Sequence, residues 1–184
     1  MKRTAFLVGL VVLAFAGSVW AQAQSPKPDP ALKRFDFVVG HWTYEGEYKA
    51  GPLGPGYRFT GELTCKRILG GFFFQNQVTE KGPMGVSHVM EIFGYDRENK
   101  NYFSNEYHND GTTMSGIYVF DGNTFVYTGA LVAGGKPIML KMTMTIAADF
   151  MGITGKGEIS TDGNTWAPWE ELKLTKTKPA PETK

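Results

Sequence analysis

The chain has 184 residues, of which 42% are hydrophobic and 20% are charged, and its formal net charge is +1 at pH 7. The charges are scattered and nearly balanced, which excludes a basic field for nucleic acid or anionic lipid. The only cysteine, Cys65, excludes an internal disulfide and a Cys₄ or Cys₂His₂ zinc site within one chain. We expect Cys65 to be a small buried apolar residue.

The N-terminal residues have the three parts of a secretory signal. Lys2 and Arg3 form a positive start, residues 5–17 form an uncharged apolar run, and 21–23 (Ala-Gln-Ala) match the small-residue cleavage pattern. The run is shorter than the about 20 residues that cross a bilayer as a helix, which favours cleavage over an anchor. Residues 1–23 are therefore predicted to be a signal peptide. The mature protein is predicted to be exported, periplasmic or extracellular, with no membrane span.

Cleavage there leaves about 160 residues, enough for one domain with a hydrophobic core. Residues 24–29 are rich in proline and predict an extended lead-in. Asp29 followed by a proline favours a short helix at about 30–37. The Lys/Pro/Thr-rich residues 176–184 predict a disordered tail, which leaves 30–175 as the folded domain.

Between these ends, apolar and polar side chains alternate with the period of a β-strand. Residues 42–48 and 57–65 show the alternation most clearly, with an apolar face that includes Trp42 and Cys65. Further runs follow at 71–80, 86–95, 101–108, 113–120, 124–132, 137–147, 150–160 and 166–175. Gly, Asn and Asp turn residues separate most of these runs. About ten strands with short turns and no crossover helix predict antiparallel pairing.

The predicted fold class is all-β, an antiparallel up-and-down β-barrel of about ten strands with a short N-terminal helix. A flat sheet of this size would leave two exposed edges, and closure into a barrel removes them. Such a barrel is wide enough to hold one small ligand. A two-sheet sandwich is the alternative fold, but it needs long crossing connections.

Short motifs in a fixed order resemble those of lipocalin-like barrels. Val39-Gly40-His41-Trp42 resembles the Gly-x-Trp start. The later motifs are Leu69-Gly70-Gly71-Phe72, Gly94-Tyr95-Asp96 and Ser160-x-Asp162-Gly163-x-x-Trp166. Over about residues 32–175 the pattern is similar to a bacterial family of exported, lipocalin-like (calycin-type) proteins of unknown function. The resemblance implies a barrel without a settled activity, in which Trp42 is a core residue at the closed end.

A small apolar ligand in the barrel interior, such as a lipid fragment, is the preferred function. Aromatic and methionine side chains suit a concave apolar cavity, although plain core packing would explain the same residues. The predicted lining residues are Tyr44, Tyr57, Phe59, Leu63, Phe125, Tyr127 and Met142. No cofactor is predicted. A related haem-binding barrel family shares the Gly-x-Trp start, but its iron-ligating histidine has no match in the last strands.

An enzyme that uses the same cavity is the alternative. If a turn at 97–99 joins two strands, His88 lies opposite His108, and Met90 lies opposite Glu106. The candidate catalytic residues His88, Glu106 and His108 would then share a proton or hold a metal. A one-residue slip abolishes this arrangement, and two surface histidines are the simpler interpretation, so no metal site is predicted.

A structural or partner-binding role is the third possibility. Because consecutive strand residues point to opposite faces, at least one of residues 72–74, all Phe, is expected to point outward, either under the N-terminal helix or towards a partner. The acidic pair Glu45/Glu47 is expected to face solvent, and Glu170/Glu171 to be half exposed. Neither pair has the pattern of acid/base machinery.

Overall fold

The computed structural model describes residues 26–178. A 3₁₀ helix spans Pro30–Val38 and ten strands follow it. The strands are β1 (Gly40–Tyr48), β2 (Tyr57–Ile68), β3 (Phe73–Gly82), β4 (Gly85–Asp96), β5 (Asn101–His108), β6 (Thr113–Asp121), β7 (Thr124–Ala133), β8 (Lys136–Ile146), β9 (Gly152–Ser160) and β10 (Ala167–Lys178). A short 3₁₀ turn at Leu69–Gly71 joins β2 to β3.

The strands form a closed antiparallel barrel in which each strand pairs with the next and β1 pairs with β10. This confirms the predicted up-and-down barrel, and the sandwich alternative is wrong. β10 continues past the predicted domain end at residue 175, so residues 176–178 belong to the barrel rather than to a tail. The predicted signal peptide, 1–23, and the remainder of the predicted tail, 179–184, lie outside the described residues.

The 3₁₀ helix closes one end of the barrel. The Asp29 carboxylate caps its start by accepting a hydrogen bond from the Ala31 amide at 2.9 Å. Phe35 is 2% exposed and inserts into a group of inward-facing rings, with centroid distances of 4.9–5.6 Å. The rings around Phe35 are Phe74, Phe93, Tyr102, Tyr118 and Phe120. Edge-on packing of this kind adds about 0.5–1.5 kcal/mol per pair beyond burial, so we expect the helix to be held firmly.

Trp42 lies in the core near this closed end. Its side chain is buried, and its indole Nε1 donates to the Val38 carbonyl oxygen at 2.8 Å. The Lys176 ammonium lies 5.1 Å from the centre of the Trp42 ring and donates to the Phe37 carbonyl oxygen at 2.7 Å. The helix, β1 and β10 are therefore tied together around Trp42.

Glycines on the inner face let large side chains lie flat against the wall. A Cβ placed on Gly46 would be 2.5 Å from the Phe59 ring, and one placed on Gly157 would be 2.4 Å from the Met142 sulfur. Only a residue without Cβ leaves that space. Phe59 and Met142 therefore run along the barrel wall.

The three consecutive phenylalanines lie in different surroundings. Phe74 points inward and stacks on Phe93 beneath the 3₁₀ helix. Phe73 points outward and lies 6.2 Å from Phe103, where a Cβ on Gly94 would approach its ring to 3.1 Å. The outward phenylalanine is thus half-buried on the outer wall and does not lie under the helix. No helix among residues 26–178 combines the length and apolarity needed to cross a membrane.

Candidate functional site in the barrel interior

The interior at the open end of the barrel is lined by acidic and aromatic side chains. These residues lie next to the loops farthest from the 3₁₀ helix and point inward in the ladder registers. We call them the mouth cluster: Tyr48, Tyr57, Glu80, Glu106, His108, Trp169 and Glu170. The open end therefore has an acidic and aromatic lining beside a buried apolar cluster of Ile138, Leu140 and Ile159, which packs against Trp169.

Glu80 is held by two phenols of the opposite wall. Tyr48 Oη donates to Glu80 Oε2 at 3.2 Å, and Tyr44 Oη donates to the same oxygen at 3.5 Å. Burial still raises the pKa of Glu80 above its ordinary value, because desolvation outweighs these hydrogen bonds. The same burial raises the pKa of Tyr44 and of Tyr48, so both phenols stay protonated donors.

Glu170 is the most confined carboxylate of the mouth cluster, with 8% of its surface exposed. The β9–β10 register shifts between Pro168 and Glu170, and this irregularity turns both Trp169 and Glu170 towards Gly157 on the inner face. Burial, together with the smaller effects of the charges of Glu80 and Glu106, raises the pKa of Glu170 to about 8. The expectation that this residue is half exposed is wrong.

Glu106 and His108 lie side by side on the inner face of β5, with His108 Nε2 3.6 Å from Glu106 Oε2. The negative charge of Glu106 raises the pKa of His108. At that distance the contact is too long for a hydrogen bond. The pair is thus an ion pair when His108 is protonated and a loose contact otherwise.

Glu91 lies deeper in the barrel, where three donors surround it. Asn76 Nδ2 donates to it at 2.6 Å and Ser104 Oγ at 2.7 Å, and Tyr118 Oη donates a third hydrogen bond. Burial and the charge of Glu106 raise its pKa in spite of these donors. Tyr118 also packs against Phe35, so Glu91 lies where the polar part of the interior meets the aromatic rings of the closed end.

Three buried polar atoms of the interior have no hydrogen-bond partner among the residues described. They are Asn76 Oδ1, His108 Nε2 and Tyr127 Oη. Tyr127 is 5% exposed, and burial together with the nearby Glu106 raises the pKa of its phenol. Buried polar atoms in proteins are nearly always satisfied by protein or by water. The interior therefore has unused hydrogen-bonding capacity.

The structure places all seven predicted lining residues on the inner face. Tyr44, Tyr57, Phe59 and Leu63 face inward from β1 and β2 in one register. Phe125, Tyr127 and Met142 do so from β7 and β8. Phe125 belongs to the closed end, 5.4 Å from Phe120, whereas Tyr57 lies at the open end. Their role in ligand binding stays a prediction.

The predicted His88–His108 pair does not form. In β4 and β5, Val89 pairs with His108, and Glu91 pairs with Glu106. His88 points outward, where its Nδ1 lies 3.2 Å from Thr79 Oγ1. Met90 likewise faces outward and does not oppose Glu106. Within residues 26–178 no three His, Cys, Asp or Glu side chains are grouped so that they could hold a metal ion.

A polar concavity of about 460 Å³ lies on the outer wall. Outward-facing residues such as Thr43, Thr60 and Lys173 line it. The three unpaired buried atoms lie in the interior rather than here. The interior is therefore the better candidate for a binding site.

Two solved structures have the same fold at low sequence identity. One is Rv2717c from M. tuberculosis, with a TM-score of 0.62 and 15% identity, over 83% of this chain and all of that one. The other is the S-type phycobiliprotein lyase CPES from Guillardia theta, with a TM-score of 0.52 and 8% identity, over 81% of this chain and 93% of that one. Both likenesses support the lipocalin-like barrel.

Comparison with curated proteins gave no match. A family model, in contrast, matches residues 27–164, which is most of the chain. The protein therefore belongs to the family described as Protein of unknown function (DUF1579).

Proposed function

We propose that the protein binds a small molecule inside its barrel and admits it at the end opposite the 3₁₀ helix. The observation that supports this most is the set of unpaired buried atoms, Asn76 Oδ1, His108 Nε2 and Tyr127 Oη. Leaving a buried polar group unsatisfied costs about 1–3 kcal/mol, which a ligand with matching polar atoms would recover.

The ligand has an apolar body and a polar end. The predicted lining residues Tyr44, Phe59, Leu63 and Met142 offer it apolar surface. The carboxylates of the mouth cluster line the same interior, so a purely apolar molecule would leave them facing hydrocarbon, which is costly. An amphipathic small molecule would contact the apolar wall with its body and the carboxylates with its polar end.

Native mass spectrometry of the protein purified from its host tests this function. We expect an additional mass of a small molecule that dissociates on unfolding. The inward variant Leu63→Trp fills the interior and should lose that mass. The control Val119→Trp alters an exposed outward side chain and should retain it. An additional mass that survives in Leu63→Trp would place the molecule outside the barrel.

Catalysis in the same interior is the second candidate, because Glu106 and His108 lie side by side there. His108→Ala should abolish an activity that depends on this pair. His88→Ala, on the outer wall, should leave it unchanged. Loss of activity in both variants, or in neither, would remove the pair from the chemistry.

We further propose that the protein is exported and loses residues 1–23. The support is the charged start, the apolar run and the Ala-Gln-Ala pattern of the sequence. Fractionation should then find the protein outside the cytoplasm, with Gln24 as its first residue on N-terminal sequencing. A cytoplasmic protein that begins at Met1 would contradict export.

A further inference from the structure

The charges of the inner face are unevenly distributed between the two ends of the barrel. Glu80, Glu106 and Glu170 point inward at the mouth in the strand registers, and the charges of Glu80 and Glu106 both act on Glu170. Of the described side chains that point inward at the mouth, His108 is the one that can carry a positive charge. The inward cations Arg67 and Lys176 lie at the closed end, over the rings of Phe74 and Trp42. The open end thus has more acidic than basic side chains, and its negative charge grows as these acids ionise.

Aromatic rings stand beside these carboxylates. The centroid of the Tyr48 ring lies 5.0 Å from that of Tyr57 and 5.1 Å from that of Trp169. The Tyr48 hydroxyl donates to Glu80, so the rings and this carboxylate form one continuous surface. Trp and Tyr faces attract cations, and aromatic cages are a common means of binding quaternary ammonium groups.

A second observation is independent of the charges. Tyr127 Oη has no hydrogen-bond partner among the described residues, although the side chain is 95% buried and lies beside Glu106. A phenol oxygen accepts hydrogen bonds as well as donating them. A cationic group placed beside Tyr127 and Glu106 would therefore meet the phenol oxygen as well as the carboxylate.

We propose that the polar end of the ligand is an organic cation, an amine or quaternary ammonium group held by Glu80, Glu106 and Glu170 among the rings of Tyr48 and Trp169. This inference rests on the proposed function, since it names the chemistry of a molecule bound in the interior. The cation neutralises the excess of carboxylates, and its alkyl part extends towards Phe59 and Met142.

Three probes with the same eight-carbon chain separate charge from apolar binding: octyltrimethylammonium, 1-octanol and octyl sulfate. Titration calorimetry on the purified protein at pH 8 gives each affinity. We expect octyltrimethylammonium to bind at least tenfold more tightly than 1-octanol, and octyl sulfate to bind most weakly. Equal affinities for the cation and the alcohol would overturn the cationic preference and leave interior binding standing. If none of the three probes binds, both the inference and the proposed function are wrong.

Two variants and one matched control locate the effect. Glu170→Gln and Glu106→Gln should each reduce the affinity for octyltrimethylammonium about tenfold and leave the affinity for 1-octanol unchanged. Glu171→Gln removes the same charge from the adjacent outward position and should change neither. Equal losses in Glu170→Gln and Glu171→Gln would show general surface attraction. Circular dichroism of each variant checks that the fold is intact.

Discussion

The Tyr127 side chain lies against the barrel wall directly over Gly129, where an added Cβ would be 2.3 Å from the phenol oxygen. The same ring covers Gly116 on β6, where a Cβ would be 2.5 Å from the ring and 2.4 Å from the Thr128 carbonyl oxygen. These two glycines decide how Tyr127 is oriented in the interior.

Gly116→Ala should destabilise the fold, because its Cβ would clash with backbone as well as with the ring. We expect a loss of about 1–3 kcal/mol in the free energy of unfolding, measured by urea titration. Gly51→Ala is the control, since the nearest atom to its Cβ is 4.0 Å away. An unchanged midpoint in Gly116→Ala would mean that the wall yields at this position.

Phe35→Ala should remove the plug from the closed end. Five rings contact Phe35, so the cavity left behind should cost about 3–5 kcal/mol of stability. Thermal unfolding followed by circular dichroism measures the loss. Met84→Ala, at a side chain 79% exposed, should unfold like the wild type. A wild-type melting temperature in Phe35→Ala would contradict tight packing of the helix.

Glu170 should make the protein less stable as the pH rises. The unfolded chain releases this proton near the ordinary pKa of 4.5, while the folded chain keeps it until the pH reaches about 8. Unfolding therefore releases a proton between these values, and stability falls across that window. Glu170→Gln should be the more stable protein at pH 8 by about 3–5 kcal/mol, and similar to the wild type at pH 4.

Urea unfolding of the two proteins from pH 4 to pH 9 measures this difference. Glu171→Gln should follow the wild-type curve at every pH, since that side chain faces solvent. If the unfolding free energies of the wild type and of Glu170→Gln change in parallel from pH 4 to pH 9, Glu170 ionises at its ordinary pKa in the folded protein.

The affinity for octyltrimethylammonium should increase with pH. The charge of this probe is fixed, so any change reports the protein. Glu170 gains its negative charge near pH 8, and His108, whose pKa is raised by Glu106, loses its positive charge in the same direction. Glu80 and Glu91, whose pKa values are also raised, ionise with the same sign. Calorimetry should show an affinity about tenfold higher at pH 9 than at pH 6. The increase should be smaller in Glu170→Gln. An affinity that does not change with pH would contradict this prediction.

The strand count and the closure of the barrel were predictable because alternation and turn residues are local signals. Whether His88 and His108 share the inner face was not predictable, because it depends on the length of the turn between β4 and β5. The predicted three-residue turn has four residues, 97–100, in which Lys100 adopts a positive φ of 53°. The Asp96 carboxylate organises it by accepting hydrogen bonds from the Glu98 and Asn99 amides. A non-glycine residue in this conformation has no clear sequence signal, and one extra residue exchanges the two faces.

The buried carboxylates were missed for a different reason. Glu170 is in phase with the inward residues Leu172 and Leu174, and Glu80 is in phase with Phe74 and Val78, so the period of two does place them inside. Acidic residues are nevertheless mostly exposed in proteins, and this general rule predicts the opposite face. An acidic residue in phase with an apolar strand face is the signal that would have found the mouth cluster.

The β1–β10 ladder joins strands from opposite ends of the domain. Every other ladder joins consecutive strands, so each can form by local zipping as a hairpin. The β1–β10 ladder brings His41 next to Lys178 and requires the loop-closure entropy of nearly the whole domain. Folding should therefore proceed as an open ribbon that curls, with this seam as its slowest and last step.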